Sequence, residues 1–194
     1  MGARETIFTV LKEIIQTALI SLGIFFFVYI FLIQPHRVKG DSMLPNFHDG
    51  ELLLTEKVSY HLYKPKRGDV VVFAAPGTRK VDYIKRIIAL PHETIKIDNG
   101  TIYINNQLLK EPYETQSTEG SINMIIGDNQ YFVLGDNRGA SSDSRSFGSI
   151  DQKSIKGRTF FVYWPIFKSN VSGGIRLISG VDYGIPDTLD NSQR

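Results

Sequence analysis

The stretch Thr94-Ile95-Lys96-Ile97-Asp98-Asn99-Gly100-Thr101-Ile102-Tyr103-Ile104 decides the fold class. Isoleucine alternates with polar or aromatic residues on both sides of Asn99-Gly100, so each arm presents one apolar face at the period of a β-strand. Asn-Gly is the preferred two-residue hairpin turn because both residues tolerate positive φ. Asn105-Asn106 then offers a second turn. Working outward, Glu51–Glu56, Val70–Phe73, Val81–Leu90, Gln130–Leu134 and Arg158–Tyr163 are further short apolar or alternating runs, separated by Gly, Pro and charged turns. No long helical pattern appears beyond residue 34, and no internal repeat is visible. The expectation is a mainly β chain: an all-β domain behind one N-terminal helix. Residues 114–128 and the chain from Ser169 onward are rich in Ser, Gly, Asn and Asp, and read as an excursion loop and a loosely held tail.

That helix is the run IIQTALISLGIFFFVYIFLI, Ile14–Ile33, which carries no formal charge. As a helix, twenty residues reach roughly 30 Å, the hydrocarbon thickness of a bilayer. A buried core helix is the alternative, but a domain of this size seldom hides a helix that is apolar all round. A cleavable signal sequence would have a shorter apolar core ending in small residues. Here the run leads into Gln34-Pro35-His36-Arg37, which fits an uncleaved anchor. Orientation is not legible from charge, since Arg4 and Lys12 before the span balance Arg37 and Lys39 after it.

Composition narrows the function classes. Across 194 residues the formal net charge is +2, with 22 Lys and Arg scattered among 20 Asp and Glu, so nucleic acid is not an expected partner. The absence of cysteine excludes disulfides, thiolate zinc sites and a cysteine nucleophile. His36, His48, His61 and His92 lie far apart with no metal-ligand spacing, and no metal or other cofactor is expected.

Three segments carry candidate chemistry. Ser42-Met43-Leu44-Pro45 follows the span closely, which would bring a nucleophilic serine to membrane-bound substrates; Asp-Ser beside Pro is also ordinary turn chemistry. In Val81–Ile88, alternation sets Lys85 on one face with Val81, Tyr83 and Ile87. If that face is buried, the ammonium is poorly solvated and its pKa falls. If the strand lies at an edge, the amine snorkels to water. An unperturbed lysine is neutral only to a few parts in ten thousand at pH 7, so a basic role requires a drop of about 3 pKa units, or about 4 kcal/mol. Gly135-Asp136-Asn137-Arg138-Gly139-Ala140-Ser141-Ser142-Asp143-Ser144-Arg145 is either a surface loop or a buried polar network fixing a neighbouring cation.

These segments, with Arg67-Gly68-Asp69-Val70-Val71-Val72-Phe73 and Asp82-Tyr83-Ile84-Lys85-Arg86, resemble the type I signal peptidase family in the family's own order. With the anchor, the resemblance spans about residues 14–165. It implies a membrane-bound serine endopeptidase with a Ser–Lys pair, acting on signal-peptide-bearing preproteins and cutting after small residues of the Ala-x-Ala type. Ser42 is then the nucleophile, its backbone N–H an oxyanion donor, and Lys85 the general base. Ser141 positions the Lys85 amine. Asp143 with Arg145, and Asp136 with Arg86, are supporting ion pairs. Val38, Met43, Tyr83 and Ile84 line small apolar pockets. Residues 1–13 become a cytoplasmic N-terminus, 14–33 the single span in the cytoplasmic membrane, 34–168 an extracytoplasmic peptidase domain and 169–194 a tail. Trp164, with Phe160, Phe161 and Phe167, becomes a candidate rim toward the lipid bilayer; oligomeric state is not legible.

The chain departs from the family pattern at three places. Gly40 stands where some members carry a hydroxyl residue, His92-Glu93 replaces Gly-Asp after Leu90-Pro91, and Pro45-Asn46-Phe47 replaces Pro-Thr-Leu. Two other classes are distinguishable. A catalytically silent relative would be free to lose Ser42 or Lys85, and a self-cleaving repressor-type protease would carry a DNA-binding helical domain where this chain has an apolar anchor.

Overall fold

The computed structural model describes residues 2–78, 81–113, 117–168, 172–181 and 183–185. Ala3–Phe27 form helix α1, and one wider turn, Val28–Leu32, leads out of it. The helix therefore starts well upstream of Ile14. Residues Thr9–Glu13 contain neither Gly nor Pro, so a nucleated helix propagates through them. It also ends before Ile33, because Pro35 forces Gln34 toward extended backbone. Within α1, Ile7–Phe27 is long and apolar enough to cross a bilayer, and none of it is buried against the rest of the chain. That exposure removes the buried core helix as an alternative.

In chain order the strands are β1 (Ile33–Arg37), β2 (Leu52–Glu56), β3 (Val70–Ala74), β4 (Asp82–Ala89), β5 (Thr94–Asp98), β6 (Thr101–Ile104), β7 (Gln107–Leu108), β8 (Ile122–Ile125), β9 (Gln130–Leu134), β10 (Ile150–Asp151), β11 (Ile155–Trp164) and β12 (Arg176–Leu177). Among the described residues they form two antiparallel sheets. The larger runs β1-β2-β11-β3-β4-β9-β10 with β12 beside β11, and the smaller runs β7-β6-β5-β8. The fold is thus mainly β behind one apolar helix, as the periodicity predicts. The Asn99-Gly100 hairpin pairs Ile95 with Ile104 and Ile97 with Ile102. That isoleucine face packs on Ile88, Phe132 and Leu134 from the larger sheet. Each side chain so buried contributes about 2 kcal/mol. The opposite face of β4 and β9 buries Ile87, Tyr131 and Val133 against Val71 and Phe73. Strand β4 is therefore covered on both sides.

Two expectations require correction. The segment 114–128 is not wholly an excursion loop: Ile122–Ile125 form β8, paired with β5. Four residues flanked by Gly and Ser show too short an alternation to read, and only the partner strand selects it. Residues 114–116 lie outside the described residues.

The described part of the tail is not loosely held either. Ser172 and Tyr183 are buried, and Ile178 packs beside the core around Val38 and Phe47. The buried Glu51 carboxylate accepts hydrogen bonds from Ser172 Oγ (2.9 Å), Gly173 N (3.0 Å) and both terminal nitrogens of Arg176 (2.8 and 2.6 Å). Burial acts to raise the Glu51 carboxyl, and these donors, Arg176 foremost, outweigh it and hold it below its ordinary value. A polar composition hid this because the tail is fixed by hydrogen bonds to one buried acid rather than by an apolar pattern. Arg176→Ala leaves that carboxylate short of its cation and is expected to cost roughly 3 kcal/mol. Urea unfolding of the detergent-solubilised chain checks the value, and faster proteolysis within 172–185 checks the location.

Candidate active site

The segment between β1 and β2 turns tightly, with Leu44 N–H donating to the Asp41 carbonyl at 3.1 Å. Ser42 and Met43 at the centre of this turn face opposite ways. Ser42 lines a cleft of about 300 Å³, together with Val38, Leu53, Val72, Tyr83, Ile84 and Lys85. Met43 has no exposed surface and sits in the core with Val38, Phe47 and Leu53. Of the residues expected to line a pocket, Val38, Tyr83 and Ile84 border this cleft, whereas Met43 lies in the packing beneath it.

Lys85 reaches the serine from β4. Its Nζ is 2.8 Å from Ser42 Oγ and donates to the Ile84 carbonyl at 2.9 Å. The residue is only 4% exposed, so the snorkelling alternative does not hold. Burial is the largest influence on its amine and pulls the pKa down from 10.5 to about 8, while the negative charges of Asp143 and Asp136 pull the other way. At pH 7 roughly one molecule in ten then carries a neutral amine. The Ser42 backbone N–H makes no hydrogen bond among the described residues. It is free to stabilise an oxyanion.

The polar segment after β9 closes around this pair as a buried network. Arg86 grips Asp136 through Nε (2.8 Å) and Nη2 (2.7 Å), donates from Nη1 to the Gly68 carbonyl (3.0 Å), and stacks its guanidinium 4.4 Å from the Tyr113 ring centre. Asn46 Nδ2 donates to the second Asp136 oxygen at 2.9 Å, tying the Ser42 turn to the same carboxylate. Asp143 accepts from Arg145 Nε and Nη2 (both 2.9 Å) and from Gly135 N (3.1 Å). Burial acts to raise its carboxyl; the donors around it, Arg145 foremost, more than compensate and hold it below the usual range. Ser141 Oγ is buried beside Asp143 and Gly135 without a regular hydrogen bond, and no hydrogen bond joins it to Lys85.

Three contributors escape a reading of the sequence. Asn137 donates its backbone N–H to the Ser42 carbonyl (3.0 Å) and its side-chain amide to the Asp41 carbonyl (3.0 Å). Gly135 lies so close to the Ser42 carbonyl and the Ser141 side chain that a Cβ there would overlap both. Glu93, one of the departures, is buried and takes a two-pronged ion pair from Arg67 at 2.9 and 2.6 Å. All three lie in segments the sequence singles out, but these contacts are not legible locally, because each is made to a partner more than twenty positions away.

Of the aromatic residues expected at a rim, Trp164 (51%) and Phe167 (82%) are exposed, and Phe160 and Phe161 are half-buried.

Comparison with known proteins gives a consistent neighbourhood. The family model described as signal peptidase, peptidase S26, matches residues 11–164. The chain is 36% identical over 163 residues to the probable signal peptidase I-1 of Synechocystis sp., covering 80% of this chain and 83% of that protein. It is 34% identical over 167 residues to signal peptidase I of Bacillus licheniformis, covering 80% and 89%. It is 35% identical over 182 residues to signal peptidase IB of Staphylococcus aureus, covering 83% and 94%.

Proposed function

This chain belongs to the signal peptidase family, peptidase S26, and on that premise we propose that it removes signal peptides from exported preproteins with Ser42 as nucleophile and Lys85 as general base. The observation that carries the reading is the 2.8 Å contact between Ser42 Oγ and an amine whose pKa burial lowers to about 8. Neutral Lys85 takes the hydroxyl proton as Oγ adds to the scissile carbonyl, and the Ser42 N–H receives the oxyanion. The ammonium returns its proton to the leaving amine, giving an acyl-enzyme and a free N-terminus. Water, deprotonated by the same amine, then hydrolyses the ester. Arg86–Asp136 and Arg145–Asp143 fix the strand and loop that carry these groups.

The cleft supports a preference for small side chains. β4 pairs with β9 only from Arg86 onward, so Asp82–Lys85 has a neighbour on one side only among the described strands. An extended substrate adds to that edge. Its residues −1 and −3 then face the same way, into a lining of Val38, Leu53, Val72 and Ile84. α1 anchors the enzyme in the cytoplasmic membrane with a single span and the β domain outside, where the substrate's own signal helix delivers the cleavage site.

Cleavage of a preprotein with an Ala-x-Ala site by the detergent-solubilised chain tests the reading. Wild type is expected to cut after the second Ala, and folded Ser42→Ala to be silent. Because the neutral amine is the active form, kcat/KM rises with pH: about tenfold from pH 7 to pH 9, levelling above a midpoint near 8. A silent wild type, or a Ser42→Ala variant that still cuts, overturns it.

A further inference from the structure

The cleft has one polar corner that the peptidase chemistry leaves unused. His36 from β1 and Asp82 from β4 both contribute to its lining. His36 Nδ1 is engaged by Thr55 Oγ1 at 3.1 Å. Its Nε2 is buried, and no protein group among the described residues hydrogen-bonds it. Asp82 Oδ2 stands 3.8 Å from that nitrogen, beyond hydrogen-bond reach, and accepts from Lys156 Nζ at 2.9 Å. Burial, the largest influence on His36, holds its pKa below the ordinary 6.5 in spite of Asp82, so the ring is neutral at pH 7. An oxygen about 2.8 Å from both atoms would bridge the gap. A hydroxyl suits both neighbours, since it accepts from a ring N–H while donating to a carboxylate.

The corner lies where a particular substrate residue arrives. Asp82 is three residues from Lys85, or about 10 Å along the strand. With residue −1 at Lys85, residue −3 lies about 7 Å along on the same face, and its side chain covers the remaining reach. β1 follows α1 through the single turn Val28–Leu32, so this end of the cleft is the one connected to the apolar helix. The signal helix supplies the minus-side residues from that direction.

Resting on the peptidase reading above, we propose that His36 and Asp82 form a hydroxyl-recognising corner that favours Thr over an isosteric apolar side chain at substrate position −3. Three preprotein substrates that differ only at −3, carrying Ala, Thr or Val, test it with the full-length enzyme in detergent. Thr and Val have nearly the same shape, so the ratio of their kcat/KM values isolates the hydroxyl and cancels any general loss in a variant. Wild type is expected to favour Thr by about tenfold, the value of one well-made hydrogen bond to such a pair. His36→Leu should bring the ratio near one, and His36→Gln, which keeps a polar tip, should retain part of it. A wild-type ratio near one, or a His36→Leu ratio equal to that of wild type, overturns the proposal. If wild type cuts the Ala substrate while the ratios fail, the peptidase reading stands and only this inference falls. If the Ala substrate is not cut, both fall together.

Discussion

Lys85→Met is expected to lower kcat/KM by about 10²–10⁴-fold while leaving the protein as stable as wild type or more so. The rate falls because the one amine in contact with Ser42 Oγ among the described residues is removed, and proton transfer by a positioned base is worth about 10²–10⁴-fold. Stability moves the other way because the folded state penalises the ammonium. The unfolded lysine holds its proton to about pH 10.5, whereas the buried one releases it near 8. Below pH 8 that difference costs the folded state roughly 3 kcal/mol, and the cost disappears as pH rises through 10.5. Methionine fills similar space with no charge to desolvate. Initial rates on an Ala-x-Ala preprotein, paired with urea unfolding at pH 7, separate the two effects. A large drop in stability would show that the amine's contact with the Ile84 carbonyl outweighs its desolvation. A preserved rate would remove Lys85 from the mechanism.

Gly135→Ala is expected to lower kcat/KM by about 10²-fold or more, although the substituted residue touches no substrate. A Cβ at 135 would overlap the Ser42 carbonyl and the Ser141 side chain. Residue 135 cannot retreat easily, since its N–H is held by Asp143 and its carbonyl by Arg138 Nε. The turn carrying Ser42 must therefore give way. A displacement of about 1 Å at a reacting group is enough for a hundredfold loss. Unlike Lys85→Met, this variant should also unfold more readily, because the strain is set against the buried Asp143–Arg145 network. Kinetics and thermal unfolding on the same preparation check both signs. A near-wild-type rate would mean that the two segments slide past one another without disturbing the pair.

The residues differ in how far they could be read in advance. The hairpin at Thr94–Ile104 was legible because alternation and an Asn-Gly turn are local properties, and β5 and β6 form with those bounds. The apolar helix was legible for the same reason, though its ends were set by propagation upstream and by Pro35 downstream. Ser42 and Lys85 were legible as a pair only through their resemblance to a family; alternation alone left Lys85 either buried or snorkelling. Met43 shows the limit on the other side, since being next to Ser42 in sequence says nothing about which way a turn residue points.

Fold class and the apolar helix follow from the sequence alone, because periodicity and turn chemistry belong to neighbouring residues. Which side chains come within reach of Ser42 is set by tertiary contacts. Desolvation of Lys85, the carboxylate that clasps the tail, the clearance at Gly135 and the unpaired face of His36 depend on what a fold places within a few ångströms, from positions far apart in the chain.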